Sequence, residues 1–314
     1  MTLTELKYIV AVARHKHFGH AAEACFVAQP TLSVAIKKLE DELGVIIFER
    51  GGTEVSTTPL GAQIVTQAER VLEQTAVIKE IAKQNKDPLS GPFRLGVIYT
   101  IGPYLLPTLI KTMIKQVPQM PLILQENFTV KLMDLLRQGE LDAAIMALPL
   151  PDQGMMVQPL YDEPFMVAVS KDHAWTGRSS ISAQELKSET MLLLGNGHCF
   201  RDQVLEVCPE MARFSTASDG IARTFEGSSL ETIRHMVASG IGITVLPMAS
   251  ITNLNAEDGL LRYLPFSAPV PDRRVVIAWR KSFTRQAAID AIRQAVMDCD
   301  LPGVTMLDET ATAQ

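Results

Sequence analysis

Residues 29–40 read QPTLSVAIKKLE, and the pattern of this stretch predicts a helix with one buried face and one exposed face. Pro30 suits the first turn of a helix, where its missing N–H costs little. Leu32, Ala35, Ile36 and Leu39 follow at helical spacing and predict a buried stripe. The exposed face carries amide, hydroxyl and ammonium groups, which suit base edges and phosphates. The candidate DNA contacts of this helix are Gln29, Pro30, Thr31, Ser33, Lys37 and Lys38.

The segments on either side complete a small domain. Apolar residues at helical spacing predict helices over 3–13 and 18–25, before a tight turn at Val27-Ala28. Residues 44–50 and 53–59 then predict two short strands around a glycine turn. Three helices followed by such a hairpin indicate a winged helix-turn-helix domain over residues 1–58. Arg50, in the wing, joins the candidate DNA contacts.

The overall charge opposes this prediction. The 314-residue chain has a net charge of −6 and a pI near 5.6, and a strongly basic balance is the usual mark of nucleic-acid binding. Residues 1–60 carry six Lys or Arg against seven Asp or Glu. DNA contact must therefore depend on the local placement of cations and on several copies of the domain.

The composition and the first residues of the chain limit the classes of protein to which it can belong. An apolar fraction of 47% with 20% charged residues is typical of a soluble globular protein, and the length suits two or three domains. The first residues lack the pattern of a signal peptide, and no apolar run approaches the roughly 20 residues of a membrane helix. We therefore expect a cytoplasmic protein without a membrane partner. In that compartment four cysteines do not indicate a disulfide framework, and we interpret Cys25 and Cys299 as core residues.

A long helix is predicted to connect two domains. From Pro59 the pattern stays helical for more than twenty residues and ends near Asn85–Pro88. Its apolar residues alternate between four- and three-residue steps, which favours a coiled-coil seam between two copies of the chain. We interpret residues 59–88 as a linker and dimerisation helix followed by a hinge. The seam residues are Ile64, Ala68, Val71, Thr75, Ile78 and Ala82.

Residues 89–314 alternate between apolar strands and amphipathic helices, which indicates an α/β region with a parallel sheet. Two sets of such segments predict two lobes. Lobe I covers about 92–163 and 267–300, and lobe II covers about 164–266. In such folds ligands bind beyond the carboxyl ends of strands. Predicted strands end at Thr100, Thr129 and the loop 195–198.

Residues 195–203 read GNGHCFRDQ, and Cys208-Pro209 follows. If the residues between Cys199 and Cys208 are helical, nine steps put the thiols on opposite faces and roughly 13 Å apart along the axis. A disulfide needs Cα atoms within about 7 Å of each other. The two cysteines can therefore join only if the helix unwinds, which is the behaviour of a redox switch.

The surroundings of Cys199 favour its oxidation. A helix N-terminus with Arg201 and His198 nearby favours the thiolate, which hydrogen peroxide oxidises to a sulfenic acid. Cys199 is then the peroxidatic residue and Cys208 the resolving one. The other alternative is a pair of buried structural thiols. The expected peroxide-binding residues are Thr100, Thr129, Gly197 and His198, and the residues expected to hold the reduced loop are Arg201 and Asp202.

The N-terminal region resembles the DNA-binding module of LysR-type transcriptional regulators. The likeness lies in Phe18, Ala21-Ala22, residues 29–33, Ile36, Leu39-Glu40, Leu43-Gly44, residues 46–48, Arg50, Thr58-Pro59 and Gly61. The two lobes resemble the effector domain of the same family, which is similar to periplasmic binding proteins. The segment 197–203 with Cys208 resembles the peroxide-sensing branch of the family, and so do residues 102–107, 126–129, 162–164 and 228–238.

This resemblance implies a mode of action. Oxidation would refold the segment between Cys199 and Cys208, shift the dimer contact between sensor domains and reposition the DNA-binding domains. It also implies an activator that works as a tetramer, a dimer of dimers, on double-stranded DNA, with RNA polymerase as a further partner. No cofactor or metal is implied.

Two other functions stay open on the sequence alone. The chain could be a LysR-type regulator that answers to a small organic effector in the cleft between lobes, with incidental cysteines. It could also be a thiol peroxidase. An enzyme is disfavoured, because turnover of peroxide requires neither a winged helix nor a long dimerisation helix.

Overall fold

The computed structural model describes residues 1–49, 55–83, 87–150, 154–209, 224–227, 229–251 and 259–307. The chain divides into two compact units, Met1–Asn85 and Lys86–Gln314. Over the described part of the chain, every helix is too short or too polar to span a bilayer.

The first unit is a winged helix-turn-helix followed by a long helix, as predicted. The third helix starts at Gln29 with Pro30 in its first turn, and its buried stripe is Leu32, Ile36 and Leu39. The wing is a short antiparallel pair, whereas Arg50 and the glycine turn lie outside the described residues. In chain order the elements are α1 Leu3–His15, α2 Phe18–Ala24, α3 Gln29–Leu43, β1 Phe48–Glu49, β2 Ser56–Thr57 and α4 Pro59–Lys83.

The long helix α4 belongs in part to the core of this unit. Ala68 is buried there, and Ile64 and Val71 pack against the same core. Ile78, further along the predicted seam, is 67% exposed. The first half of the seam therefore stabilises its own chain, and dimerisation through this helix stays a prediction.

The second unit is a two-lobed α/β structure, which confirms the predicted fold class. Two 3-10 turns lie at Ala183–Ser188 and Met248–Ser250. The other elements are β3 Phe93–Ile98, α5 Gly102–Gln116, β4 Leu122–Asn127, α6 Thr129–Gln138, β5 Ala143–Ala147, β6 Met155–Ser170, β7 Met191–Leu194, α7 Cys199–Val207, β8 Thr224–Gly227, α8 Leu230–Ala238, β9 Thr244–Pro247, β10 Leu261–Pro265, β11 Asp272–Arg280, α9 Gln286–Met297 and β12 Thr305–Met306.

The main sheet is mixed. Its strand order is β10-β6-β11-β5-β3-β4, with β9 and β12 also paired to β6. Strand β3 runs parallel to β4 and β5, as predicted, but β11 is antiparallel to both β5 and β6. The prediction of a parallel sheet is wrong for β11 and also for β6, which is antiparallel to β9, β10, β11 and β12. Strand β11 has this direction because it returns from the second lobe. It enters the first lobe beside Thr100, at the carboxyl end of β3, and so runs against it.

Each lobe has its own hydrophobic core. One core draws on residues 93–161 and 275–301, and the other draws on residues 165–266. The long strand β6 contributes Leu160 and Tyr161 to the first core and Phe165 and Val167 to the second. A continuous strand thus connects the lobes. The predicted site residues Thr100, Thr129 and the loop 195–198 follow the carboxyl ends of β3, β4 and β7.

Candidate functional site

Three aromatic rings bring the ends of separate segments together. The ring of Phe128 lies 5.2 Å from that of Tyr99 and 4.8 Å from that of His198, measured between centroids. The rings of Tyr99 and His198 are 5.9 Å apart. We call these three residues the ring cluster. Each ring is followed in the chain by a predicted site residue, and these are Thr100, Thr129 and Cys199.

Thr100 is buried and held by an arginine. Nη1 of Arg273 donates to the Thr100 hydroxyl oxygen at 2.8 Å, and Nη2 donates to its carbonyl oxygen at 3.1 Å. Because arginine has no acceptor, this contact leaves the hydroxyl proton of Thr100 available to another group. Nε of Arg273 donates to Glu163 at 2.7 Å, and both side chains are almost fully buried. The paired charges therefore set the direction in which Thr100 can donate.

Thr129 opens helix α6, and its hydroxyl is unsatisfied. The side-chain oxygen is buried and has no hydrogen-bond partner among the described residues. A buried hydroxyl in a native protein normally has a partner, which is protein, ordered water or ligand. Thr129 is therefore a buried donor and acceptor for which the described residues supply no partner.

Cys199 and Phe200, the first two residues of α7, face different lobes. Cys199 is partly buried against the first-lobe core. Phe200 is buried in the second-lobe core, where its ring packs edge-on against Phe165 at 5.1 Å. The guanidinium of Arg273 lies 5.1 Å from the Phe200 ring. The first turn of α7 is thus held between the lobes, next to the charge pair that orients Thr100.

Gly197 shapes the loop that leads into α7. Its φ is +97°, and a Cβ added there would lie 3.4 Å from the Phe128 ring. Gly197→Ala is expected to destabilise the reduced protein by about 1–2 kcal/mol, because L-residues pay roughly this in left-handed backbone. Urea unfolding would measure the loss. Gly177→Ala is the control, since its Cβ would meet nothing within 4 Å, and its change should stay within about 0.5 kcal/mol.

Cys208 lies directly after α7. Its backbone N–H donates to the carbonyl of Val204 at 3.3 Å, and its φ of −134° and ψ of 80° end the helix. The thiol is buried in the second-lobe core, and neither Cys199 nor Cys208 is in a disulfide. The helix predicted between the two thiols is therefore present, with Cys199 facing one core and Cys208 within the other.

Three polar residues on α7 differ in their surroundings. Nη1 of Arg201 donates to the carbonyl of Leu194 at 3.0 Å, which ties α7 to the end of β7. Asp202 is exposed in the first turn of the helix, where a carboxylate interacts favourably with the helix N-terminus. Nε2 of Gln203 donates to the carbonyl of Leu148 at 2.7 Å.

A cavity of about 360 Å³ opens beside the ring cluster. The hydroxyl of Tyr104 on α5 donates to Glu231 on α8 at 3.0 Å, and both residues line this cavity. Burial raises the pKa of Tyr104 well above its ordinary value. Burial also raises the pKa of the Glu126 carboxyl on the same wall. The cavity is large compared with peroxide, so its volume alone does not select a ligand.

The other two cysteines have different surroundings. Cys25 is half-buried in the first unit, and burial raises the pKa of its thiol. Cys299 is buried in the first-lobe core, and burial raises its pKa to about 11. Both environments disfavour the thiolate, the reactive form.

The exposed face of α3 carries the predicted DNA contacts. Gln29, Pro30, Thr31, Lys37 and Lys38 are exposed, and Ser33 is partly buried.

Sequence reasoning missed the residues that support the site. Arg273 and Glu163 come from segments distant from Cys199, and nothing local distinguishes a buried arginine from an exposed one. Phe200 adjoins Cys199 in the chain, but its contacts with Phe165 and Arg273 depend on the fold. A signal did exist for Tyr99 and Phe128, because each directly precedes a threonine that had been selected.

Two family models match the chain. A model described as "Bacterial regulatory helix-turn-helix protein, lysR family" matches residues 3–62, and one described as "LysR substrate binding domain" matches residues 86–298. Among curated relatives, the DNA-binding transcriptional dual regulator OxyR of Escherichia coli K12 is 39% identical over 94% of this chain and 95% of its own. A hydrogen peroxide-inducible genes activator of Pectobacterium carotovorum is 41% identical over 89% of this chain and 90% of its own.

Solved structures agree with these relatives. A full-length OxyR variant from Pseudomonas aeruginosa is 51% identical and superposes with a TM-score of 0.68 over 99% of both chains. A hydrogen peroxide-bound OxyR mutant from Corynebacterium glutamicum is 32% identical, with a TM-score of 0.61 over 94% of this chain and 91% of its own. The chain therefore belongs to the LysR family of bacterial regulatory helix-turn-helix proteins, within the group of hydrogen peroxide-inducible genes activators.

Proposed function

We propose that this chain is a transcription regulator that binds double-stranded DNA and senses hydrogen peroxide through Cys199 and Cys208. The observation that carries the proposal is the ring cluster, which gathers the residues before Thr100, Thr129 and Cys199 into one place. The named activators among its relatives support the same conclusion. In this proposal residues 1–58 bind DNA, 59–88 dimerise, and 89–314 sense the oxidant.

The proposed chemistry is a two-electron oxidation of two thiols. The Cys199 thiolate sulfur attacks one peroxide oxygen, the O–O bond breaks, and the second oxygen leaves as hydroxide that takes a proton to become water. Sulfur keeps the first oxygen as a sulfenic acid. The Cys208 thiolate then attacks that sulfur, the S–O bond breaks, and the oxygen leaves as hydroxide, which takes a proton to become a second water. One peroxide is reduced to two waters, and one disulfide forms.

The polar groups near Cys199 suit this reaction. The Thr100 hydroxyl, which accepts from Arg273, keeps its proton for a peroxide oxygen. The Thr129 hydroxyl lacks a protein partner within the described part of the chain and is free to donate or accept. Gly197 lets the loop approach Phe128, and the backbone N–H groups at the start of α7 favour the negative charge of the thiolate. Together these groups would hold peroxide and stabilise the departing hydroxide.

Disulfide formation requires α7 to unwind. About 13 Å separates residues nine steps apart in a helix, far beyond disulfide reach. Unwinding would remove the contact of Arg201 with Leu194 and that of Gln203 with Leu148, and Asp202 would leave the helix terminus that it stabilises. These losses alter the surface of the sensor unit. In this proposal the chain binds DNA as a dimer of dimers that contacts RNA polymerase, and the altered surface changes how its copies associate.

Peptide mapping tests this function. Reduced full-length protein treated with a small molar excess of hydrogen peroxide should give a peptide pair joined through Cys199 and Cys208, with Cys25 and Cys299 still reduced. Expression of a promoter bound by the protein should change over the same range of peroxide. A response without that disulfide would contradict the proposed mechanism.

A regulator of the same family that responds to a small organic effector is the second candidate. The 360 Å³ cavity between Tyr104 and the ring cluster favours it, because its volume suits a small organic ligand. A peroxide response that survives in Cys199→Ser would favour this candidate. Consumption of many equivalents of peroxide per chain, with a thiol reductant present, would instead indicate a thiol peroxidase.

A further inference from the structure

Val34 occupies the centre of the outward face of α3. It lies two residues beyond Leu32, so about 200° of helical rotation turns it directly away from the buried stripe. Its side chain is 69% exposed. A branched apolar residue at this place contributes to neither the core nor the helix, since valine is a weaker helix former than alanine. Its side chain is therefore available for contact with a partner of the chain.

The neighbours of Val34 define what meets this face. Residues three and four positions away share its side of the helix. These are Pro30 and Thr31 towards the N-terminus and Lys37 and Lys38 towards the C-terminus, all exposed. Lysines are suited to phosphates, and the hydroxyl is suited to base edges or phosphates. Pro30 and Val34 together form an apolar patch, and the other side chains of this face within one turn of Val34 are polar or cationic.

An apolar patch on such a face has one natural counterpart in the major groove. Among the groups that base pairs present there, only the C5-methyl of thymine is apolar. Cytosine lacks this methyl and presents an amino donor instead. We propose that Val34 contacts a thymine methyl group and so selects an A·T pair at one defined position in each half-site. The inference rests on the DNA binding proposed above and is independent of peroxide.

The patch also predicts what Val34 does not do. Because valine carries no charge or hydrogen-bonding group, its removal leaves the contacts of Lys37 and Lys38 with phosphates unchanged. Val34→Ala should therefore alter sequence preference without altering the dependence of affinity on salt concentration, which reports the number of neutralised phosphates. Alanine is the better helix former, and the site is exposed, so the variant should fold.

Selection from a randomised duplex DNA pool tests the proposal. Reduced full-length protein and its Val34→Ala variant are each used to enrich binding sites. The wild-type sites should share a thymine that the variant sites lose, at one position in each half-site. Leu43→Ala is the control, because Leu43 is 39% exposed at the end of the same helix, close to the core side. Its sites should match those of the wild type.

Deoxyuridine substitution then isolates the methyl group. Each thymine of the wild-type site is replaced in turn by deoxyuridine, which lacks only that methyl. The affinity of wild type should fall about fourfold when the shared thymine is replaced, because one buried methyl group contributes about 0.8 kcal/mol. Val34→Ala should lose little there, and both proteins should respond alike at every other thymine.

The outcomes separate this inference from the proposed function. Equal losses for wild type and Val34→Ala at every substituted thymine would overturn the role of Val34. A change in the salt dependence of Val34→Ala would also overturn it, since a methyl contact releases no counterions. Failure of wild type to enrich any sequence would instead contradict DNA regulation itself.

Discussion

Replacement of Cys199 by serine is expected to abolish the peroxide response. Serine keeps the size and polarity at the start of α7 but cannot form the thiolate that attacks peroxide. Cys208 is buried in the second-lobe core and lies at the end of α7, not at its start as Cys199 does. Micromolar peroxide should therefore leave Cys208 reduced in Cys199→Ser, as read by peptide mass spectrometry, and a reporter promoter should not respond.

The partner variant divides the reaction into its steps. Cys208→Ser should be oxidised at Cys199 at about the rate of wild type but should stop at the sulfenic acid, which a sulfenic-acid-specific reagent will label. Cys25→Ala is the control, because burial raises the pKa of that thiol and makes it less reactive. A full transcriptional response in Cys199→Ser would disprove the assignment, and slow oxidation of Cys208→Ser would mean that Cys208 helps to activate Cys199.

Loss of Glu163 is expected to have the largest effect on stability. Its carboxylate accepts from Nε of Arg273 at 2.7 Å and from the backbone N–H of Ala249 at 2.8 Å. Glu163→Leu would leave the guanidinium buried without its counter-charge, which typically costs 3–5 kcal/mol. Urea unfolding of the reduced protein should therefore show a much lower midpoint, with an unchanged slope if unfolding remains two-state.

A double variant separates stability from chemistry. Glu163→Leu with Arg273→Met removes both charges and keeps similar volumes, and such replacements are often close to neutral. Its stability should return most of the way to wild type, yet Thr100 would no longer receive the hydrogen bond from Arg273. Peroxide oxidation of Cys199 should thus stay slower than in wild type. If oxidation recovered together with stability, Arg273 would have only a structural role.

Much of the local structure could be predicted from the residues themselves. The stripe of Leu32, Ile36 and Leu39 predicted the face of α3 that is buried, because a helix repeats every 3.6 residues whatever it packs against. The end of α7 at Cys208 also follows from the local sequence, since Pro209 disfavours helical backbone in the residue before it. The direction of β11 was predicted wrongly, because strand direction depends on how the chain returns between lobes.

Local sequence was sufficient to predict the helices, the strands of the wing and the distance that keeps Cys199 from Cys208 while α7 is intact. These properties follow from backbone geometry over a few consecutive residues. Three features depend on the tertiary structure: the edge-on and tilted packing of Tyr99, Phe128 and His198, the orientation of Thr100 by Arg273 and Glu163, and the different lobes that Cys199 and Phe200 face. Such contacts join residues up to 173 positions apart, and burial and pairing at that separation depend on the whole fold. The spacing of the two cysteines made a switch conceivable, and long-range packing supplied the surroundings in which it can operate.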